Sequence, residues 1–233
     1  MTLTTMTVIA LMASSCSLGR LVREETHKEQ ARIYMNDGTI FSGRAVLPNT
    51  RDKYINLSLE QGERKKLAAA DISIAEFWDN THPESHNNFI YSSFTTNNQL
   101  RRTKLAAFNY GTSSKKENKQ RGPFWMKMAG SGAYLEICLC GAYYSFDAEG
   151  NIAVDSSRDD EVYIVAYKHS EGGKCIGYIG SNPEALCNEL VKLLADDPGI
   201  CWKIITGQIS TDDFETICNE YSPQAEDKEG VLA

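Results

Sequence analysis

ARIYMNDGTIFSGRAV, residues 31–46, sets two short arms around Asn36-Asp37-Gly38. Asp-Gly supplies the positive φ that a tight hairpin needs, so Ala31–Met35 and Thr39–Val46 are predicted to pair as antiparallel strands. Downstream, Tyr54–Leu59 alternates, with Ile55, Leu57 and Leu59 on one face and Asn56 and Ser58 on the other. Gln61-Gly62 turns the chain, Lys65–Ala69 returns it, and Asp71-Ile72-Ser73-Ile74 begins a further strand.

The run Tyr34-Met35-Asn36-Asp37-Gly38-Thr39, then Gly43, then Asp71-Ile72 leading into a closing strand, resembles a small SH3-like or Sm-like barrel of the kind found in many bacterial envelope proteins. The resemblance covers residues 31–78 and implies an N-terminal small β-barrel. Sm-like barrels that bind RNA use basic and aromatic loop residues. The sequence does not concentrate them here, and fold likeness alone carries no ligand, so no nucleic-acid partner is expected.

Residues 79–88 (DNTHPESHNN) are polar with one Pro and read as a linker or exposed loop. A β-rich region, 89–180, follows. Its strand candidates are Phe89–Phe94, Leu105–Tyr110, Phe124–Met128, Ala133–Leu139, Tyr143–Phe146, Glu161–Tyr167 and Cys175–Ile179. Gly130-Ser131-Gly132, Glu149-Gly150-Asn151 and Glu171-Gly172-Gly173 supply turns. Ser113–Arg121 is charged and reads as a loop. From Ser181 the apolar period becomes helical. Ser181 with Glu184 suggests a capping box, and Leu186, Leu190, Leu193 and Leu194 share a face. Residues 198–206 present Ile200, Cys201, Ile204 and Ile205, and a third helix, capped by Ser210 or Thr211, presents Phe214, Ile217, Cys218 and Tyr221. Three short amphipathic helices, 181–222, must pack on the sheet to bury their stripes. Residues 223–233 read as a disordered tail. The expected fold class is α+β: a small barrel, an antiparallel β-rich middle and a helical cap.

The 233 residues carry 31 acids against 24 bases, a formal charge of −7, which argues against a general nucleic-acid binder needing a broadly positive surface. No run approaches the ~18 apolar residues of a membrane-spanning helix, excluding an integral helical transporter. The start, MTLTTMTVIALMASSC, has a short apolar core, Val8 to Ala13, followed by small residues and Cys16. It resembles a bacterial lipobox, which implies a signal peptide over 1–16, lipidation of Cys16 and a tether over 17–30. Asp196-Asp197-Pro198, Lys203-Ile204, Gly207 and Phe214 to Tyr221 resemble the C-terminal end of a group of uncharacterised Bacteroidetes secreted proteins and lipoproteins. Those too open with a signal and an Asp-Gly hairpin. The likeness implies an envelope location and no particular chemistry.

The remaining cysteines, Cys138, Cys140, Cys175, Cys187, Cys201 and Cys218, include no CxxC and lie in apolar patterns, so buried free thiols are expected over disulfides. His82 and His86 have the i, i+4 spacing of zinc ligands on a helix, but Pro83 and the surrounding polar residues favour a solvated loop. Asp155, Asp159, Asp160 and Glu161 offer oxygens to calcium but lack the sharp-turn Gly of a calcium loop. His169 and Cys175 form the single nearby base–thiol pair, and a surface His with a core Cys accounts for them equally. Arg101, Arg102, Lys104, Lys115, Lys116, Lys119 and Arg121 make the one positive concentration along the sequence. Near a lipid anchor they could meet anionic headgroups or a partner's acidic face. Trp78, Phe124, Trp125 and Trp202 read as core aromatics. With no convergent acid, base, nucleophile or metal set, neither catalytic residues nor a cofactor or metal is assigned. The chain is expected to be a lipid-anchored envelope protein that binds the membrane through its anchor and an envelope partner. The alternative is a secreted hydrolase with a site assembled from distant residues. A pocket of convergent ionisable groups would favour the hydrolase, and an exposed apolar or basic patch would favour binding.

Overall fold

The Asp-Gly hairpin forms as its turn chemistry requires: Gly38 sits at φ +85° and the Asp37 carboxylate accepts the Thr39 N–H at 2.9 Å. It joins β1 (Glu29–Met35) to β2 (Ile40–Ala45), in register from Glu29↔Ala45 to Tyr34↔Ile40. The structure is a computed structural model and describes residues 28–97, 118–156, 162–169 and 171–223. β3 (Tyr54–Leu59) and β4 (Arg64–Ala68) follow, and a 3-10 turn, Ala69–Asp71, leads into β5 (Ile72–Trp78). β5 returns to pair with β1, giving the order β5-β1-β2-β3-β4 around Ile33, Ile55, Leu57, Ala75 and Phe77. This N-terminal unit curls without a hydrogen-bonded seam between β4 and β5.

Residues 79–86 connect β5 to β6 (Asn87–Asn97), which pairs with β5 antiparallel, so the sheet continues past the polar stretch. β7 (Asn118–Ser131) and β8 (Leu135–Cys140) come next, then a separate hairpin of β9 (Tyr143–Phe146) and β10 (Ile152–Asp155). β11 (Tyr163–Lys168) and β12 (Gly173–Tyr178) complete the sheet. The order β6-β7-β8-β11-β12 closes on itself through a short parallel pairing, Gly173↔Phe94 and Lys174↔Thr95. Parity explains the parallel seam: in a meander of five strands the first and last run the same way. Full closure therefore lies in the second block. Both the small barrel and the α+β class are present.

Strand alternation sorts the side chains into layers. On β8, Leu135 and Ile137 face outward to the helices, while Cys138 and Cys140 face the barrel interior with Phe94, Met126, Val165 and Cys175. The outer layer is covered by α1 (Pro183–Leu193), α2 (Pro198–Ile205) and α3 (Phe214–Glu220). Their caps differ from expectation. Asn182, not Ser181, accepts the Glu184 N–H at 3.1 Å, because the capping side chain must sit immediately before the first helical residue. Ser181 instead accepts the Tyr178 N–H at 3.0 Å. Asp213, not Ser210 or Thr211, caps α3 through the Thr216 N–H. Gly130 and Gly132 lie directly under the α3 backbone, where a Cβ would collide with the Phe214 and Cys218 carbonyls.

Further corrections concern single elements. β10 is a strand that the sequence reading missed, and β7 begins inside the charged stretch read as a loop. Leu105–Tyr110 lies outside the described residues. Trp202 and Ile205 are 63% and 58% exposed, because α2 buries Ile200, Cys201 and Ile204 instead. Leu190, on α1, is fully buried. Leu190→Ala should therefore destabilise the chain by about 2–5 kcal/mol in chemical denaturation, whereas a helix merely resting on the surface would give under ~0.5 kcal/mol.

Candidate functional site

The outer face of β3 and β4 repeats a polar pattern with the strand period of two. Asn56 stands opposite Lys66, and Ser58 opposite Arg64, with Tyr54 at the end of the row. A long connection, residues 46–53, passes alongside and makes the second wall of a groove of about 1040 Å³. Its side chains include Leu47, Pro48 and Asn49.

This connection is fixed at several points. The Asp52 carboxylate accepts the Asn49 backbone N–H at 2.8 Å and its side-chain amide at 3.2 Å. The Trp125 indole N–H donates to the Asp52 carbonyl at 2.9 Å, and the Trp125 backbone N–H donates to the Thr50 carbonyl at 2.9 Å. The Thr50 hydroxyl donates to the Gly141 and Ala142 carbonyls. Trp125 is fully buried, so the wall is anchored in the core.

Lys28, Arg51, Lys53, Arg64, Lys65 and Lys66 line the groove, and Lys65, opposite Leu57, lies on the face away from Arg64 and Lys66. Asp52 is its single carboxylate, and that group is occupied by Asn49. Three of the cations rest on aromatic rings. Lys66 Nζ lies 4.0 Å from the Tyr54 ring, Lys65 Nζ 4.4 Å from Phe41, and the Arg51 guanidinium 6.0 Å from Phe124. Aromatic faces orient a cation without neutralising its charge. The groove is thus a concave, predominantly basic surface, with Tyr54 49% exposed in it. It can bind anions. It holds no nucleophile with an adjacent base.

The sequence reading placed the positive concentration elsewhere. Arg101, Arg102, Lys104, Lys115 and Lys116 lie outside the described residues, and Lys119 is described only as part of β7. Arg121 lies over the Tyr163 ring at 5.9 Å, with its Nε buried. The groove cations were missed because they come from three separated stretches and only the pairing of β2, β3 and β4 gathers them. Lys65-Lys66 after Arg64, beside an alternating strand, was the available signal.

The other candidates separate. His86 Nδ1 meets Glu76 Oε1 at 2.8 Å and stacks on Trp78, while His82 pairs with Asp79 at 3.5 Å. Among the described residues no group of three or more His, Cys, Asp or Glu side chains is placed to hold a metal ion. Asp155 ends β10, and Asp159, Asp160 and Glu161 lie outside the described residues, as does Cys16. Cys175 points into the barrel with its thiol 3.4 Å from the Gly177 carbonyl, whereas His169 is exposed on the turn after β11. Gly130 and Ser131 are still paired in β7, with Ile137 and Glu136, so the turn read at Gly130-Ser131-Gly132 begins only at Gly132. Of the aromatics, Trp125 is core, Trp78 and Phe124 are half-buried, and Trp202 is exposed.

No protein family, curated protein or solved structure matches the chain. The groove is therefore read from its own geometry.

Thiol chemistry follows burial. The six described cysteines are free. Burial pushes the Cys140 and Cys218 thiols up to about 12 and Cys138 well above its ordinary value, so none of the three supplies a thiolate at neutral pH. Cys187 is half-buried. A thiol-reactive chromophore should modify Cys187 first in the native protein and reach Cys138, Cys140, Cys175 and Cys218 only on denaturation. All six should then react without reductant; a requirement for reductant would reveal disulfides.

Proposed function

We propose that this chain is a non-enzymatic binding module of a bacterial envelope, tethered through a lipid on Cys16, with the basic groove as its ligand site. The observation that carries the binding role is the groove: six cations around a fixed concave wall, with one carboxylate already hydrogen-bonded. A hydrolase would need groups of complementary function converging there, an acid with a base or a nucleophile with a base. The groove is predominantly basic. The envelope location rests on the lipobox-like start of the sequence.

The ligand must be anionic, and its affinity must fall with salt. Heparin serves as a generic polyanion probe. The full chain should bind it at low ionic strength, and Lys53→Glu with Lys66→Glu, both exposed positions, should abolish most of that binding while leaving the thermal transition in place. Unchanged binding would remove the groove from consideration as the ligand site. For the anchor, radiolabelled palmitate supplied to expressing bacteria should enter the protein only when Cys16 is present. Equal labelling of Cys16→Ala would sink the lipoprotein assignment.

A further inference from the structure

We infer that the groove docks on the headgroups of anionic phospholipids, so that the chain holds its own bilayer by charge as well as by an acyl anchor. This rests on the anchored-module reading above.

The chain reaches the folded unit beside the groove. Lys28 lines it, and the Arg44 guanidinium donates to the Lys28 carbonyl at 2.6 Å, pinning that point to β2. Twelve residues, Ser17 to Lys28, separate this point from Cys16. Fully extended they reach at most about 40 Å, so a lipidated chain keeps the groove within a short distance of the surface and at high effective concentration over it.

Charge sets the orientation. Arg51, Lys53 and Lys66 are exposed on the groove beside its single lining carboxylate, in a chain whose formal charge is −7. An anionic bilayer attracts this basic face. The lining cations, four lysines and two arginines, all suit a headgroup phosphate, the arginines through bidentate bonds and the lysines as compact point charges. Tyr54, half-exposed beside Lys66, and the half-buried Leu47 add the amphipathic and apolar contacts that suit a membrane interface.

The test uses the full chain carrying Cys16→Ser, so that no lipid contributes. In co-sedimentation it should bind vesicles of phosphatidylcholine mixed with phosphatidylglycerol, ignore vesicles of phosphatidylcholine alone, and dissociate as salt rises. Lys53→Glu with Lys66→Glu should weaken binding by about thirtyfold or more. Lys192→Glu, on the exposed face of α1 and outside the groove, should leave it unchanged. Arg51→Glu provides a second groove variant should the double substitution disturb folding, and it should also weaken binding. Failure to bind the mixed vesicles, or equal binding by both groove variants, overturns the inference. So does displacement by inorganic phosphate too dilute to screen charge, or tighter binding of a polyglutamate peptide or a single-stranded oligonucleotide than of the vesicles. Heparin binding that survives while vesicle binding fails would sink the headgroup assignment alone and leave the anionic groove standing.

Discussion

Trp125 is the residue on which both halves of the molecule depend. β7 is buried on both faces: Trp125 points into the core built by β1 to β5, while Phe124, Met126 and Met128 point into the closed barrel. One strand thus serves as a shared wall. The indole N–H and backbone N–H of Trp125 hold residues 50–52, and its carbonyl accepts the Tyr144 hydroxyl at 2.6 Å. That last bond seats the β9–β10 hairpin, and Asn87 fixes its other end by bonding the Ile152 N–H and the Gly150 carbonyl, both at 3.0 Å. Burying an indole and a phenol is favourable only where each polar tip finds a partner, and here the partners are the connections that shape the groove.

The helical lid depends on a separate polar latch. Lys168 donates to Asp196 at 2.8 Å and to the Leu193 carbonyl at 3.0 Å, and the Tyr221 hydroxyl bonds the same carboxylate. Burial pushes Asp196 upward, but the bonds from Lys168 and Tyr221 outweigh it and hold the carboxyl below its ordinary value. Its stabilising contribution is therefore present above the ordinary carboxylate range and fades as the solution is acidified through it. Asp197, next in sequence and buried, caps α2 and accepts the Ser222 N–H at 2.8 Å, tying the end of α3 to the start of α2.

What was legible in the sequence was local. Asp37-Gly38 announced its hairpin because the turn needs a positive φ that few residues supply. The leucines of α1 announced their face because one side of that helix is solvated. The start of β7 at Asn118 was missed because its first residues, Asn118 to Gly122, are polar, charged or Gly and carry none of the apolar alternation that marks a strand. β10 (Ile-Ala-Val-Asp) went unseen because it lacks the aromatic residues that marked the equally short β9. Trp202 was misplaced by a general rule that large aromatics are core, whereas a two-turn helix exposes whatever lies opposite its buried stripe. The groove was illegible for a different reason. Charges separated in sequence add only when strand pairing makes them neighbours, and net composition conceals them: an acidic chain can carry a locally basic surface.

The construction of that surface bears on how strongly it can bind. A flexible basic segment must lose backbone freedom when it meets its ligand, whereas here residues 49–52 are already held by hydrogen bonds to one another, to Trp125 and to Gly141. The flexible part is the lysine stems, and stacking Lys65 on Phe41 and Lys66 on Tyr54 restricts two of them. Had carboxylates provided that restraint, each cation would arrive at its ligand already neutralised and an anion would have to displace the partner. Aromatic rings impose the geometry and leave the charge in place. A fixed wall and partly ordered lysine stems would let an anion enter with little rearrangement.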